Sequence, residues 1–236
     1  MTRNPTTNHA ANKAAFDFKG DIVKPKLLDL FCCQGGAAMG YHRAGFQVTG
    51  VDLSPQPRYP FEFVQADAID YLERNGRFYD AIHASPPCQA HTNAQKIMGN
   101  EHPDFIDATR ELLHYLGRPF VIENVPGAPL EEPFELCGAM FGLGTYRHRL
   151  FETNFYMDVP EHPEHIARTT KMGRKPVDGE MMHVVGNFSG VEKAKKAMGI
   201  DWMTRDGLRE SIPPAYTQHI GYYLMEEVLN RREAAA

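Results

Sequence analysis

Apolar and polar positions follow two rhythms along the first half of the chain. Short apolar runs read as buried strands: Lys26-Leu27-Leu28-Asp29-Leu30-Phe31, Phe46 to Asp52, Phe61 to Ala66, Tyr79 to Ala84 and Pro119 to Glu123. Between them, apolar residues recur at helical spacing. Ala37, Ala38, Met39, Tyr41 and Ala44 mark a helix stopped by Gly45. Asp67 caps a helix over Ala68 to Arg74, stopped by Asn75-Gly76. Pro103 opens a helix running through Ile106, Leu112, Leu113 and Leu116.

Strands that alternate with helices through short loops predict an α/β fold with a doubly wound, mostly parallel sheet. Ligands of such sheets lie beyond the carboxyl ends of the strands. Gly35, Gly36, Asp52, Asp67, Cys88 and Glu123 fall at those ends and are expected to share one rim. After Pro126 the rhythm changes. Ala128 to Gly144 reads as loop, Tyr146 to Phe155 as a strand, Glu192 to Met198 as a helix, and Thr217 to Arg232 as a C-terminal helix returning to the sheet. The expected organisation is a flexible leader (1–20), a catalytic domain (21–159), a small recognition region (160–203) and a C-terminal segment (204–236).

Composition adds constraints. Hydrophobic residues make up 42% and charged residues 23%, as in an ordinary soluble globular protein. No apolar run reaches membrane-spanning length, and residues 1–20 lack an apolar signal core, so a cytoplasmic location is expected, in a bacterium or a phage-infected host cell. The four cysteines, Cys32, Cys33, Cys88 and Cys137, form no CxxC pair, so neither a disulfide framework nor a zinc ribbon is indicated. His162, His165 and His183 have no cysteine nearby in the chain and read as exposed loop residues, so no metal site is expected. The net charge is −5, but Arg168 to Arg209 carries nine Lys or Arg against five Asp or Glu, a basic segment in an acidic chain. Trp202 and Phe188 in that region read as core residues of a small domain.

Candidate chemistry clusters at the strand ends. Asp29 to Gly40 is a strand–turn–helix of nucleotide-binding type: its glycines admit close backbone approach and the helix start offers free N–H groups. Asp52 suits ribose hydroxyls, and Asp67 suits an adenine amino group or a helix cap. Ser85-Pro86-Pro87-Cys88 places a cysteine after a rigid turn at a strand end. Glu123, followed by Asn124, suits the hydrogen-bonding edge of a base, and Arg147-His148-Arg149 adds forked donors.

The order DLFCCQGG, VD, AD, PPCQ, ENVPG, RHRLF and PPAYTQHIG resembles the DNA cytosine-5 methyltransferase family from Leu27 to Gly221. The resemblance implies the S-adenosylmethionine-dependent methyltransferase fold with an inserted target-recognition region. It implies a methyl-donor pocket formed by Phe31, Gly35, Gly36, Asp52, Leu53, Asp67, Ala68 and Pro86. Cys88 matches the nucleophile, Glu123 the acid that recognises cytosine, Asn124 its support, and Arg149 with Arg147 the arginine pair. The implied reaction is thiolate addition at C6 of a flipped cytosine in double-stranded DNA, then methylation at C5 from S-adenosylmethionine, by a monomer without a metal. Three positions depart from the pattern: Cys33 replaces a glycine, Thr145 replaces a glutamine, and Pro213 to Thr217 stand where a Gly-Asn is usual. Two other classes stay open. One is a catalytically silent DNA-binding module on the same scaffold; the other is an enzyme that transfers a modified group or acts on free cytosine nucleotides.

Overall fold

The computed structural model describes residues 23–87 and 105–235. Its centre is a seven-stranded sheet in the order β3-β2-β1-β4-β5-β7-β6. The strands are β1 (Lys26–Leu30), β2 (Gln47–Asp52), β3 (Glu62–Gln65), β4 (Ala81–Ala84), β5 (Phe120–Asn124), β6 (Phe134–Leu136) and β7 (Arg149–Thr153). The first five are parallel; β7 runs antiparallel to β5 and β6 antiparallel to β7. This is the fold class expected from the alternating pattern.

The helices are α1 (Gly36–Arg43), α2 (Ala68–Asn75), α3 (Phe105–Leu116), α4 (Val191–Met198), α5 (Arg205–Glu210) and α6 (Pro214–Ala234). Interior strands buried on both faces need apolar side chains on both, which is why β1 and β5 read as near-continuous apolar runs. One face packs Leu27, Tyr41, Phe46, Phe151, Tyr216 and Ile220, joining the sheet to α1 and α6. The other packs Leu28, Leu30, Leu72, Ile82, Leu113 and Ile122 against α2 and α3. Inside α6, Thr217 Oγ1 donates to Ala37 O at 2.8 Å, which fixes α6 on α1.

A third cluster gathers Met182, Val184, Phe188, Met198, Ile200 and Leu208, with Trp202 packed on it. Phe188 and Trp202 thus serve packing. Between β7 and α4 the chain has no helix or strand, only an isolated bridge between Thr169 and Met181. The segment expected to be loop at Ala128 to Gly144 contains β6 and a 3₁₀ turn, Gly138–Phe141. A three-residue strand is too short to show periodicity; its pairing with β7 creates it. No described helix is long and apolar enough to cross a membrane.

Candidate active site

Strand order reverses between β1 and β4: β1 continues to β2 on one side, and β4 continues to β5 on the other. Loops leaving the carboxyl ends there diverge and open a crevice. A cleft of about 590 Å³ occupies that position, a volume suited to a nucleoside-sized ligand.

One half of the cleft is built by the β1–α1 turn and the ends of β2 and β3. Phe31, Gly36, Asp52, Leu53, Asp67 and Ala68 all line it. Asp52 is held by two backbone donors: Cys33 N–H to Oδ2 at 3.0 Å and Ser54 N–H to Oδ1 at 2.9 Å. The donation from residue 33 is made by its backbone; what the cysteine side chain adds is its Sγ. The residue keeps a positive φ of 45° and donates to Asp52, while its Sγ points to Glu210 at 3.9 Å. Asp67 caps α2, its Oδ1 accepting from Ile69 and Asp70 N–H at 2.9 and 3.0 Å, and it also lines the cleft. The helix-cap role of Asp67 is thus realised, and the same side chain faces the cleft.

The other half is built by the ends of β4 and β5 and the start of β7. Pro86, Pro87, Glu123, Asn124 and Arg149 line it. Asn124 Nδ2 donates to Pro86 O at 3.0 Å and its Oδ1 accepts from Val125 N–H at 2.9 Å, so the proline turn is clamped to β5. Glu123 Oε1 lies 2.9 Å from Arg149 Nε and is buried. The approach is out of line with the N–H, so this is a charge contact without a directed hydrogen bond. Cys88, which follows Pro87 in the chain, lies outside the described residues.

Two expected site residues stand elsewhere. Gly35 does not line the cleft. It occupies the left-handed region (φ 82°) at the start of α1, and a Cβ there would meet the Tyr59 ring at 3.0 Å. Its part is to make the turn. Arg147 also stands away from the cleft. A φ of 34° turns it inward, and it donates to Val184 O and Arg209 O, each at 2.7 Å. It positions the C-terminal wall by tying residue 184 to residue 209.

That wall was not foreseen. Arg209, Glu210, Ser211 and Ile212 line the cleft, just before the Pro213–Thr217 stretch that departs from the family pattern. They close on Gly36 so tightly that a Cβ there would lie 1.8 Å from Ser211 Oγ. The clue in sequence was Pro213-Pro214, which ends the wall and starts α6. Gln34 supports the same region, its Oε1 accepting from Thr204 N–H at 3.0 Å and its carbonyl from Trp202 Nε1 at 2.8 Å.

A second unforeseen feature is a pair of buried titratable groups. Burial pushes the Asp29 carboxyl up to about 8 from its ordinary 3.8, against the opposing hydrogen bond from Tyr59 OH at 3.3 Å. Burial also pushes His83 down to about 3 from 6.5, where it bonds Tyr41 OH and Ser85 Oγ, each at 2.9 Å. The folded state holds a proton on Asp29 between about pH 4 and pH 8 that the unfolded chain lacks; this contribution weakens as pH rises through that window. His83 acts oppositely between about pH 3 and 6.5, where only the unfolded chain holds its proton. The two slopes offset each other up to about pH 6.5. Above it Asp29 acts alone, so unfolding free energy is expected to fall toward pH 8 by up to about 1.4 kcal/mol per pH unit. Urea midpoints at pH 6.5 and pH 8 check this, and Asp29→Asn is expected to remove the fall.

His162, His165 and His183 are exposed and lie outside helices and strands, as expected. His183 stands apart, but His162 and His165 meet His148 and Cys137 in space. Cys137, distant in sequence, supplies the cysteine that chain spacing alone did not bring near them.

No protein-family profile matches the chain. A curated relative, the type II methyltransferase M.FnuDI of Fusobacterium nucleatum, is 28% identical over 112 residues, covering 43% of this chain. The match spans only a third (33%) of that relative's length. Among solved structures, the Entamoeba histolytica methyltransferase EhMeth matches with TM-score 0.56 and 14% identity, covering 88% of this chain and 99% of that one. The S. pombe Dnmt2 methyltransferase matches with TM-score 0.57 and 12% identity, covering 87% and 99%. At these identities the likeness establishes the fold alone, shared with these two methyltransferases.

Proposed function

We propose that this protein is an S-adenosylmethionine-dependent DNA methyltransferase acting at C5 of cytosine. The observation that carries the reading is the cleft itself. A nucleoside-type half, with Asp52 and Asp67 at strand ends, is continuous with a base-type half where Glu123, Arg149 and the Asn124-clamped proline turn converge. The partial match to a type II methyltransferase supports the same reading.

The donor half fits the cofactor by the chemistry of its side chains. Phe31 and Leu53 offer apolar faces, Asp52 offers a carboxylate to ribose hydroxyls, and Asp67 offers one to an adenine amino group. When bound, S-adenosylmethionine supplies a methyl carbon made electrophilic by its sulfonium. The chain's residues make the cytosine reactive toward it. The Cys88 thiolate adds to C6, and the C5–C6 π pair shifts toward C5 and N3. Glu123 accepts from the exocyclic amino group through one oxygen and, carrying a proton, donates to N3 through the other. Arg149 contacts Glu123, and in the proposed reading its guanidinium donates to O2. After C5 has taken the methyl, its proton passes to water, the electron pair returns to C5–C6 and expels the thiolate, and N3 gives its proton back to Glu123. The base must leave the helical stack to reach these groups.

The test is incubation with labelled S-adenosylmethionine and, separately, mixed-sequence DNA, RNA and dCMP. Label is expected in DNA cytosine and is expected to fall at least about 10³-fold in Cys88→Ser. Label only in RNA or dCMP, or DNA binding without label, overturns the assignment.

A further inference from the structure

The Cys137–His148–His162–His165 cluster lies outside the cleft and has no part in the proposed chemistry. Its four ligand atoms, one from each side chain, all lie within 4.8 Å of one another. Cys137 Sγ is 3.3 Å from His165 Nε2, and His148 Nε2 is 3.2 Å from His162 Nε2. The four come from three separate places: the end of β6, the residue before β7, and the irregular segment that follows β7.

Hydrogen bonds join these atoms only in two pairs, Cys137 with His165 and His148 with His162, with one donor in each. A cation at the centre engages all four lone pairs at once. A tetrahedral zinc ion, with Zn–S near 2.3 Å and Zn–N near 2.0–2.1 Å, sets ligand atoms about 3.3–3.6 Å apart. Two observed separations already lie close to that range. The surroundings hold the ligands in place. The Tyr146 ring stacks on His165 with centroids 3.6 Å apart, and its hydroxyl bonds both O and N of Ala167. Glu135 Oε1, 3.8 Å from His148 Nε2, adds negative charge beside the cluster. Cys137 is buried while His162 and His165 are exposed, so the cluster has an inner anchor and a solvent-facing side through which a metal can load.

We infer that these four residues form a structural zinc site that staples the irregular segment after β7 to the β6–β7 edge of the sheet. A thiolate with three imidazoles selects zinc over hard cations such as magnesium or calcium, and four protein ligands leave no position for substrate. The segment has no helix or strand of its own, and metal ligation supplies the order that its backbone does not. The site adjoins the cleft through the chain, because His148 is bonded to Arg149.

The full-length protein, purified and dialysed, is expected to contain about one zinc ion per chain by elemental mass spectrometry. Cys137→Ser and His162→Ala are each expected to lose it, with affinity lowered at least about 100-fold. His162 is exposed, so His162→Ala is the variant that tests ligation without disturbing the core; circular dichroism confirms its fold. Cobalt-substituted protein is expected to show a thiolate-to-cobalt charge-transfer band that Cys137→Ser lacks. A chelator is expected to lower the melting temperature of the wild type and leave that of His162→Ala unchanged. Zinc content that stays the same in both variants marks an adventitious metal and overturns the proposal, as does wild-type protein that takes up neither zinc nor cobalt.

Discussion

Glu123→Gln is expected to lower methyl transfer to cytosine by about 10²- to 10⁴-fold, with DNA and cofactor affinity changed only a few-fold. The amide keeps the shape of the carboxyl. It still accepts from the cytosine amino group and donates to N3, so recognition of the base survives. It cannot pass a proton to N3, so the negative charge that develops on thiolate addition goes uncompensated. Among the residues of the cleft, Glu123 is the one proposed to meet this demand. It precedes Asn124, the last residue of β5, it is buried in the wall of the cleft, and it contacts Arg149 at 2.9 Å. The effect should therefore fall on kcat, with KM little altered. Single-turnover methylation with saturating DNA, beside a DNA-binding titration, separates the two. Loss of binding equal to the loss of rate shows Glu123 to be a recognition residue only.

Arg110→Ala is expected to destabilise the fold by about 3–5 kcal/mol. Arg110, on α3, grips Glu152 of β7 bidentately, with Nε to Oε1 at 2.9 Å and NH2 to Oε2 at 3.0 Å. It also donates to Asp107 at 2.6 Å and Pro129 O at 2.8 Å, and Glu152 Oε2 accepts from Glu131 N–H at 2.8 Å. Glu152 is 4% exposed. Truncating the arginine strands its charge in a site water does not reach, and the larger part of the effect comes from that stranded charge. The double variant Arg110→Met with Glu152→Leu is accordingly expected to lose less stability than Arg110→Ala alone. Urea denaturation checks both, through a shift in midpoint at constant slope. A loss below about 1 kcal/mol for Arg110→Ala would show the pair to be solvent-screened. The pair also bears on the site. It locks α3 to β7, whose first residue is Arg149, and the β5–β7 pairing sets Glu123 opposite Phe151.

The parallel half of the fold was legible because burial on both faces writes itself as short, mostly apolar runs. β1, β2, β4 and β5 announce themselves in that way, and glycines and acids mark their ends. The placement of Asp52, Asp67, Glu123 and Asn124 at one cleft followed from strand topology alone. Short-range pattern failed where structure depends on partners distant in sequence. β6 exists through its pairing with β7. α5 is six residues long, and its start depends on Thr204 Oγ1 accepting from Gly207 N–H at 3.1 Å. Arg147 and Arg149 look equivalent in Arg147-His148-Arg149, yet a positive φ at the first sends it to carbonyls at 184 and 209 while the second faces the cleft. The convergence of Cys137 with three histidines was invisible for the same reason: ligand spacing in sequence identifies sites within one loop, and this cluster draws on three places in the chain.

The central claim is that Cys88 attacks a cytosine whose C5 then accepts a methyl group. The reaction can finish only if C5 sheds a proton. Replacing that hydrogen with fluorine blocks the last step, because fluorine cannot leave as a cation, and the thiolate stays bonded to C6. DNA containing 5-fluorocytosine, incubated with the protein and S-adenosylmethionine, is therefore predicted to give a one-to-one complex that survives denaturing electrophoresis, with the methylated base attached at Cys88. The complex is predicted to be absent in Cys88→Ser. Undiminished complex in Cys88→Ser, or methylated cytosine in ordinary DNA with no trapped complex on the fluorinated substrate, would contradict the account.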